Sequence, residues 1–181
     1  MITQIDVRGV LARVVPDHLT DLVTRPTGRA VRSSIEEELA LLTGRTVVVL
    51  DFSAVRIIDC SCADEIVAKL VAASLADAGR DAFFLLRGLT DEQIEDVEVV
   101  LRGQRLALVA EASGTLRVLG EVADQARLAF ARLATRGEAR PEDVAQDLAW
   151  SLAEARAALD ELVVRRLVMR EAGNYRPLTA A

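Results

Sequence analysis

Val47 to Leu70 reads VVVLDFSAVRIIDCSCADEIVAKL, and the order of side-chain types along it decides the first half of the fold. Thr46 to Leu50 is an unbroken apolar, largely β-branched run, the mark of a strand buried on both faces. After Asp59, residues Ile66, Leu70, Ala73 and Leu75 recur at helical spacing and predict a helix closing near Gly79. Ser61 and Asp64 have the Ser-x-x-acid spacing of a capping box, a device worth about 1 kcal/mol. Asp64 and Glu65 are then first-turn acids that complement the helix dipole.

The flanking segments repeat this alternation. Upstream, Ile5 to Val15 is rich in β-branched and apolar residues and is expected to form one or two strands ending at Pro16 and Asp17. A loop containing Pro26 and Gly28 follows. Arg29 to Leu42 places Val31, Ile35, Leu39 and Leu42 on one helix face, with Ser34 and Glu37 suited to its first turn and Gly44 to its end. Downstream, Ala82 to Leu86 predicts a second buried strand. Thr90 and Gln93 open a helix reaching about Arg102. Leu106 to Ala110 and Leu116 to Leu119 supply the last strands around Ser113 and Gly114. Strands alternating with helices indicate a layered α/β domain over residues 1–119.

The segment DFSAVRIIDCSCADEI resembles the STAS superfamily. In its anti-sigma antagonist members a buried strand ends in an acid, and an Asp-Ser-Ser-Gly-like turn opens a helix eight residues later. Asp51 and Asp59 keep that spacing, and Ser61 stands where those antagonists carry the phosphorylated serine. Cys62 and Asp64 replace the small glycines that normally follow, and an acid one turn away opposes an added phosphate. The match is closer to a STAS-like bacterial family that pairs a DFS-x-V strand end, here Asp51, Phe52, Ser53 and Val55, with Ala-Asp-Glu, here Ala63, Asp64 and Glu65. The resemblance implies a protein-interaction domain, with Asp59, Cys60, Cys62, Asp64 and Glu65 as candidate partner-binding residues. It also implies a partner that is often a kinase-like ATPase. Ser61 keeps two readings: a helix cap, or a phosphorylation site favoured by the helix N-terminus.

At Gly120 the pattern turns almost wholly helical, so a second domain is expected over residues 120–181. Val122, Ala126, Ala129, Phe130 and Leu133 make an amphipathic stripe ending at Gly137, and Pro141 with Glu142 and Asp143 opens the next helix. Ser151 and Glu154 cap a third, with Leu152, Ala155, Leu159 and Leu162 facing inward and Arg165 and Arg166 closing it. Leu167 to Arg170 and Tyr175 to Leu178 form a hairpin through Gly173 and Asn174. LAWSLAEARAALDELVVRRLVMREAGNYRPL is similar to winged helix-turn-helix modules of bacterial regulators. Such a module either binds DNA or serves as a docking or dimerisation piece.

Charge weighs on that choice. The chain of 181 residues carries a formal net charge of −6, which argues against a molecule that coats nucleic acid. Between Glu121 and Arg176 there are nine arginines and ten acids, a net of −1. The expected recognition helix carries Glu154, Arg156, Asp160 and Glu161, a net of −2, and only Arg156 suits base reading. Arg165, Arg166, Arg170 and Arg176 are the candidate phosphate contacts, and a homodimer would double them.

Other classes are disfavoured. No Gly-rich phosphate loop or paired-histidine motif is present, and the single His18 leaves most acid-base or nucleophile arrangements without a partner, so no enzyme and no cofactor are expected. Cys60 and Cys62 flank a helix start, a position that lowers a thiol's pKa, which raises thiol sensing as a role. Two thiols and one distant histidine do not make a tetrahedral metal set. No stretch approaches the roughly 18 apolar residues of a membrane span, and a cytoplasmic location is expected. Two readings stand: a non-catalytic regulatory protein in which a STAS-like interaction domain is coupled to a winged-helix docking or dimerisation module, or a DNA-binding transcriptional regulator with the STAS-like domain as its sensor.

Overall fold

A computed structural model describes residues 1–15, 21–77, 79 and 81–180. The chain begins with β1 (Ile2–Asp6), α1 (Val7–Val14), the short β2 (Asp21–Leu22) and α2 (Arg25–Ala40). Then come β3 (Thr46–Asp51), β4 (Ile57–Ile58), and a continuous helical rod made of α3 (Cys60–Ala63), a π-helical turn (Asp64–Ala68) and α4 (Lys69–Ala76). β5 (Ala82–Arg87), α5 (Asp91–Gly103), β6 (Ala107–Ala112) and β7 (Thr115–Gly120) complete the alternating part. The remainder is α6 (Asp124–Arg136), α7 (Pro141–Leu148), α8 (Leu152–Val164), β8 (Val168–Glu171) and β9 (Asn174–Pro177).

The central sheet has the order β1-β3-β5-β6-β7; its first four strands are parallel, and β7 runs antiparallel to β6. The fold is therefore α/β with a mixed sheet. Register makes the two faces distinct rows. Ile5, Leu50, Leu86 and Ala110 align across one face, and Gln4, Val49, Leu85, Val109 and Val118 across the other. The first row belongs to an apolar cluster with Val10 and Leu11 of α1, Val31 and Ile35 of α2, Ile66 and Leu70 of the rod, and Val97 and Leu101 of α5. All crossover helices thus lie on one face, as expected when successive parallel strands are laid down in order with crossovers of one hand.

The opposite face is closed by the C-terminal segment. Val47, Val49, Phe83, Leu85, Ala107, Val109 and Val118 share a cluster with Ala126, Ala129, Phe130 and Leu133 of α6 and with Ala155, Leu159 and Leu162 of α8. Alanines at 126 and 129 let α6 sit close to the strands, and buried Phe130 supplies the large apolar area, at roughly 25 cal/mol per Å² removed from water. Polar ties reinforce the contact: Ala123 N donates to Glu161 Oε1 at 3.1 Å and Arg127 Nη2 to the Gly120 carbonyl at 2.7 Å. At that same sheet edge Gly120 N donates to Glu98 Oε2 at 2.6 Å. Gly120 has a φ of +87°, and a side chain there would meet the Leu106 carbonyl at 2.2 Å. Only glycine fits.

Several local expectations change. Val7 to Val14 is a helix, not a strand: Val7, Val10 and Leu11 are its buried residues, spaced at i, i+3 and i+4, and burial of that stripe outweighs the β-branched composition. The expected strand end at Pro16 and Asp17 lies outside the described residues. α2 starts at Arg25, with a proline in its first turn, so the expected loop at Pro26 and Gly28 is helical and Ser34 lies well inside the helix. β1 starts at Ile2, ahead of the expected Ile5, the short β2 and β4 add to the expected elements, and Asn174 lies in β9 rather than in the hairpin turn; the other boundaries agree closely, and the capping boxes at Thr90 and Ser151 both form. β8 and β9 meet through Ala172 and Gly173, both at positive φ, and Ala139 bridges Tyr175 to add a third strip beside the hairpin.

Removal of residues 121–181 would bare the second sheet face. The shortened chain is expected to bind the dye ANS and to aggregate at micromolar concentration, whereas the full chain unfolds in urea as one transition when intrinsic fluorescence and far-UV circular dichroism are compared.

Candidate functional site at the start of helix α3

β3 ends at Asp51, whose carboxylate accepts Gln4 Nε2 at 2.8 Å and Ser53 N at 2.9 Å. The chain then turns through Val55 and Arg56, whose carbonyls both accept the Gln93 amide at 3.1 Å. Gln93 is buried and opens α5, so the loop before the rod is fastened from a second helix. β4 pairs with β2 in parallel and delivers Asp59 to the helix start.

Asp59, not Ser61, caps this helix. Its Oδ1 accepts Cys62 N at 2.8 Å and the Ser61 hydroxyl at 2.8 Å, and its Oδ2 accepts Thr24 N at 3.2 Å. Ser61 therefore lies in the first turn as a donor, and the expected capping box with Asp64 does not form. The reason is reach: a side chain ahead of the helix can meet the third amide, whereas a hydroxyl already in the helical backbone cannot turn back to it. Burial alone would raise the Asp59 carboxyl, but the bonds from Cys62, Ser61 and Thr24 outweigh it and hold the group below its ordinary range.

Asp64 and Glu65 are not solvated first-turn acids. Glu65 is wholly buried, ion-paired with Arg25 at 3.1 Å, Arg32 at 3.3 Å and Lys69 at 2.5 Å. Asp64 pairs with Arg25 and accepts from Gln104. The π-helical turn carries both acids, and it meets α2 where Gly28 leaves room: a side chain there would stand 3.0 Å from Cys62 Cα and 3.1 Å from Glu65 Cβ. Burial would push Glu65 up, but hydrogen bonds from Lys69 and Arg25 and the charges of Lys69 and Arg32 bring it down from 4.5 to about 2. Glu65 thus joins α2 to the rod and is inaccessible to a partner.

The thiols also differ from expectation. Cys60 is exposed, with its Sγ 3.5 Å from Asp96 Oδ1; partial burial and the charges of Asp96 and Asp59 raise its pKa rather than lower it. Cys62 is buried, bonds to the Thr24 carbonyl at 3.1 Å, and is pushed up to about 12 by burial and by Asp59. Local carboxylates overcome the helix N-terminus. Among the described residues no group of three or more His, Cys, Asp or Glu is placed to hold a metal ion, and His18 lies outside them. Among them, too, no helix is long and apolar enough to cross a membrane.

Asp59, Cys60 and Ser61 are thus brought together at the surface, with the half-exposed side chain of Ile57 in the strand just before them. Protein-family models, curated proteins and solved structures were all compared with the chain, and none matches. Thr24, Arg25, Arg32 and Lys69 complete the site's frame without having been anticipated. The first three act across more than 30 residues of chain, where no local pattern signals them.

The C-terminal arginines are dispersed in role. Arg166 donates to Ser74 Oγ at 2.9 Å and to the carbonyls of Ala82 and Asp77, and Arg165 donates to Glu161 and to the Arg105 carbonyl. Both are intramolecular ties to the α/β part. Arg156 faces Glu142 at 3.5 Å, Arg170 faces Asp160 at 3.7 Å and lies over the Tyr175 ring, and Arg176 pairs with Glu138 at 2.8 Å.

Two measurements check this site. Because the folded-state pKa of Glu65 is depressed, its contribution is complete above pH 4.5 and is lost as the pH falls from there toward 2. Glu65→Gln is expected to cost about 3 kcal/mol in urea unfolding at pH 7 and distinctly less near pH 3. With a disulfide reagent at pH 7, one thiol is expected to react slowly and the second only on unfolding; rapid reaction of both would contradict the raised thiol pKa values.

Proposed function

We propose that the chain is a non-catalytic regulatory protein of the kind its STAS-like segment implies. In this reading its first part receives a protein partner around Asp59, Cys60 and Ser61, and its winged-helix-like segment is a docking or dimerisation piece. The observation that carries this over operator binding is the engagement of Arg165 and Arg166, which are committed to Ser74, Asp77, Ala82 and Arg105. Two of the four candidate phosphate contacts are therefore held inward. The exposed side of α8 adds Glu154 and Asp160 to a single Arg156, a balance that repels a polyanion.

The geometry at Ser61, a first-turn donor to Asp59 rather than the cap, argues against phosphorylation. A phosphate would bring nearly two negative charges to an oxygen now 2.8 Å from the ionised Asp59 and would remove the proton that Asp59 accepts. A kinase-like ATPase remains the partner class that the resemblance implies, engaged through docking. Ser61 is expected to stay unmodified in intact-mass analysis after incubation with the host's kinases.

Fluorescence anisotropy with random duplex DNA tests the choice directly. We expect no saturable binding up to about 1 mM protein at physiological salt, where non-specific DNA-binding proteins bind with Kd values of roughly 1 to 100 μM. Tighter, steeply salt-dependent binding that is lost on charge reversal at Arg156 and Arg176 would establish the regulator reading instead.

A further inference from the structure

Between α7, α8 and the β8–β9 hairpin lies a polar cavity of about 510 Å³ lined by Arg140, Glu142, Arg156, Asp160, Arg170 and Tyr175, among others. Three guanidinium groups from three separate elements therefore border one concavity. None is strongly committed. Arg156 stands 3.5 Å from Glu142 and Arg170 stands 3.7 Å from Asp160, in pairs whose four side chains are all more than half exposed. Arg140 Nε bonds the neutral Asn174 at 3.0 Å. The Tyr175 ring, itself buried, supports the Arg170 guanidinium 5.5 Å from its centroid, and its hydroxyl donates to Asp160 at 3.2 Å.

We infer that this cavity is a binding site for a phosphate monoester dianion. Solvated ion pairs at such distances contribute little, whereas an arginine meeting a phosphate makes short, charge-assisted, often bidentate bonds. A dianion entering the cavity exchanges the two long pairs for better ones and gains Arg140 in addition. The lining sums to three cations and two carboxylates, a net of +1. That balance suits a single compact dianion and disfavours a long polyanion, whose neighbouring phosphates would meet Glu142, Asp160 and Glu154. The site does not depend on the docking reading of α3, which lies in the other part of the chain.

The test is calorimetric titration of the full chain with three probes: inorganic phosphate, N-acetyl-phosphoserine amide and a nucleoside 5′-monophosphate. At least one ester is expected to bind, and the tighter of the two names the source of the phosphate group. Affinity should rise as the pH passes upward through about 6, where the phosphate takes its second charge. Arg156→Gln with Arg170→Gln should weaken binding at least tenfold, since each substitution removes a charged contact. Glu142→Gln should strengthen it about threefold by removing a competing carboxylate. That gain cannot come from misfolding. Absence of binding by every probe, or affinity unchanged in all these variants, overturns the proposal. So does duplex DNA bound more tightly than any monoester through the same arginines.

Discussion

A parallel sheet whose strands are laid down in sequence order collects its crossover helices on one side and leaves the other side bare. Here the bare side is Val47, Val49, Phe83, Leu85, Ala107, Val109 and Val118, an apolar surface no monomer leaves in water. The C-terminal helices close it, and much else follows from that contact. α6 must present Ala126, Ala129 and Phe130 to the strands, α8 must pack behind it, and the end of α8 is thereby brought against Ser74, Asp77 and Ala82, where Arg166 is captured. A segment of three helices and a hairpin is thus also the cover of the second apolar cluster.

On the opposite side, the start of α3 shows how one carboxylate organises several strands of chain. Asp59 gathers the amides of Cys62 and Thr24 and the Ser61 hydroxyl, so β4, the approach to α2 and the rod are held at one point. Glu65, one turn on, does the same for α2 with Arg25 and Arg32. The two acids differ in burial yet share a cause for their low pKa values: donors that outweigh desolvation. What is left at the surface is a small patch with one weakly nucleophilic thiol, Cys60.

The strands of the sheet were legible because their signal is local. Unbroken apolar runs at Thr46 to Leu50 and Ala82 to Leu86 announce burial on both faces, and both are so buried, although nothing in them says which later segment covers the second face. The boxes at Thr90 and Ser151 were legible for the same reason. Val7 to Val14 was not: its valines satisfy a strand reading and a helical stripe equally, and only packing against α2 separates them. At the site, the acids at 59, 64 and 65 were found but two roles were exchanged. Ser61 and Asp64 fit a capping template, while the true cap depended on Asp59 standing one position before the first helical residue. That Glu65 is buried depended on Gly28 and Arg32 far back in the chain.

The side chains at the Gly120 end of β7 bear on what the edge of the sheet can accept. Glu98 takes the outward amide of Gly120 and Arg127 takes its outward carbonyl, so two side chains from α5 and α6 occupy the place a neighbouring strand would fill. At its Gly120 end, the edge strand is closed to extension by a foreign backbone.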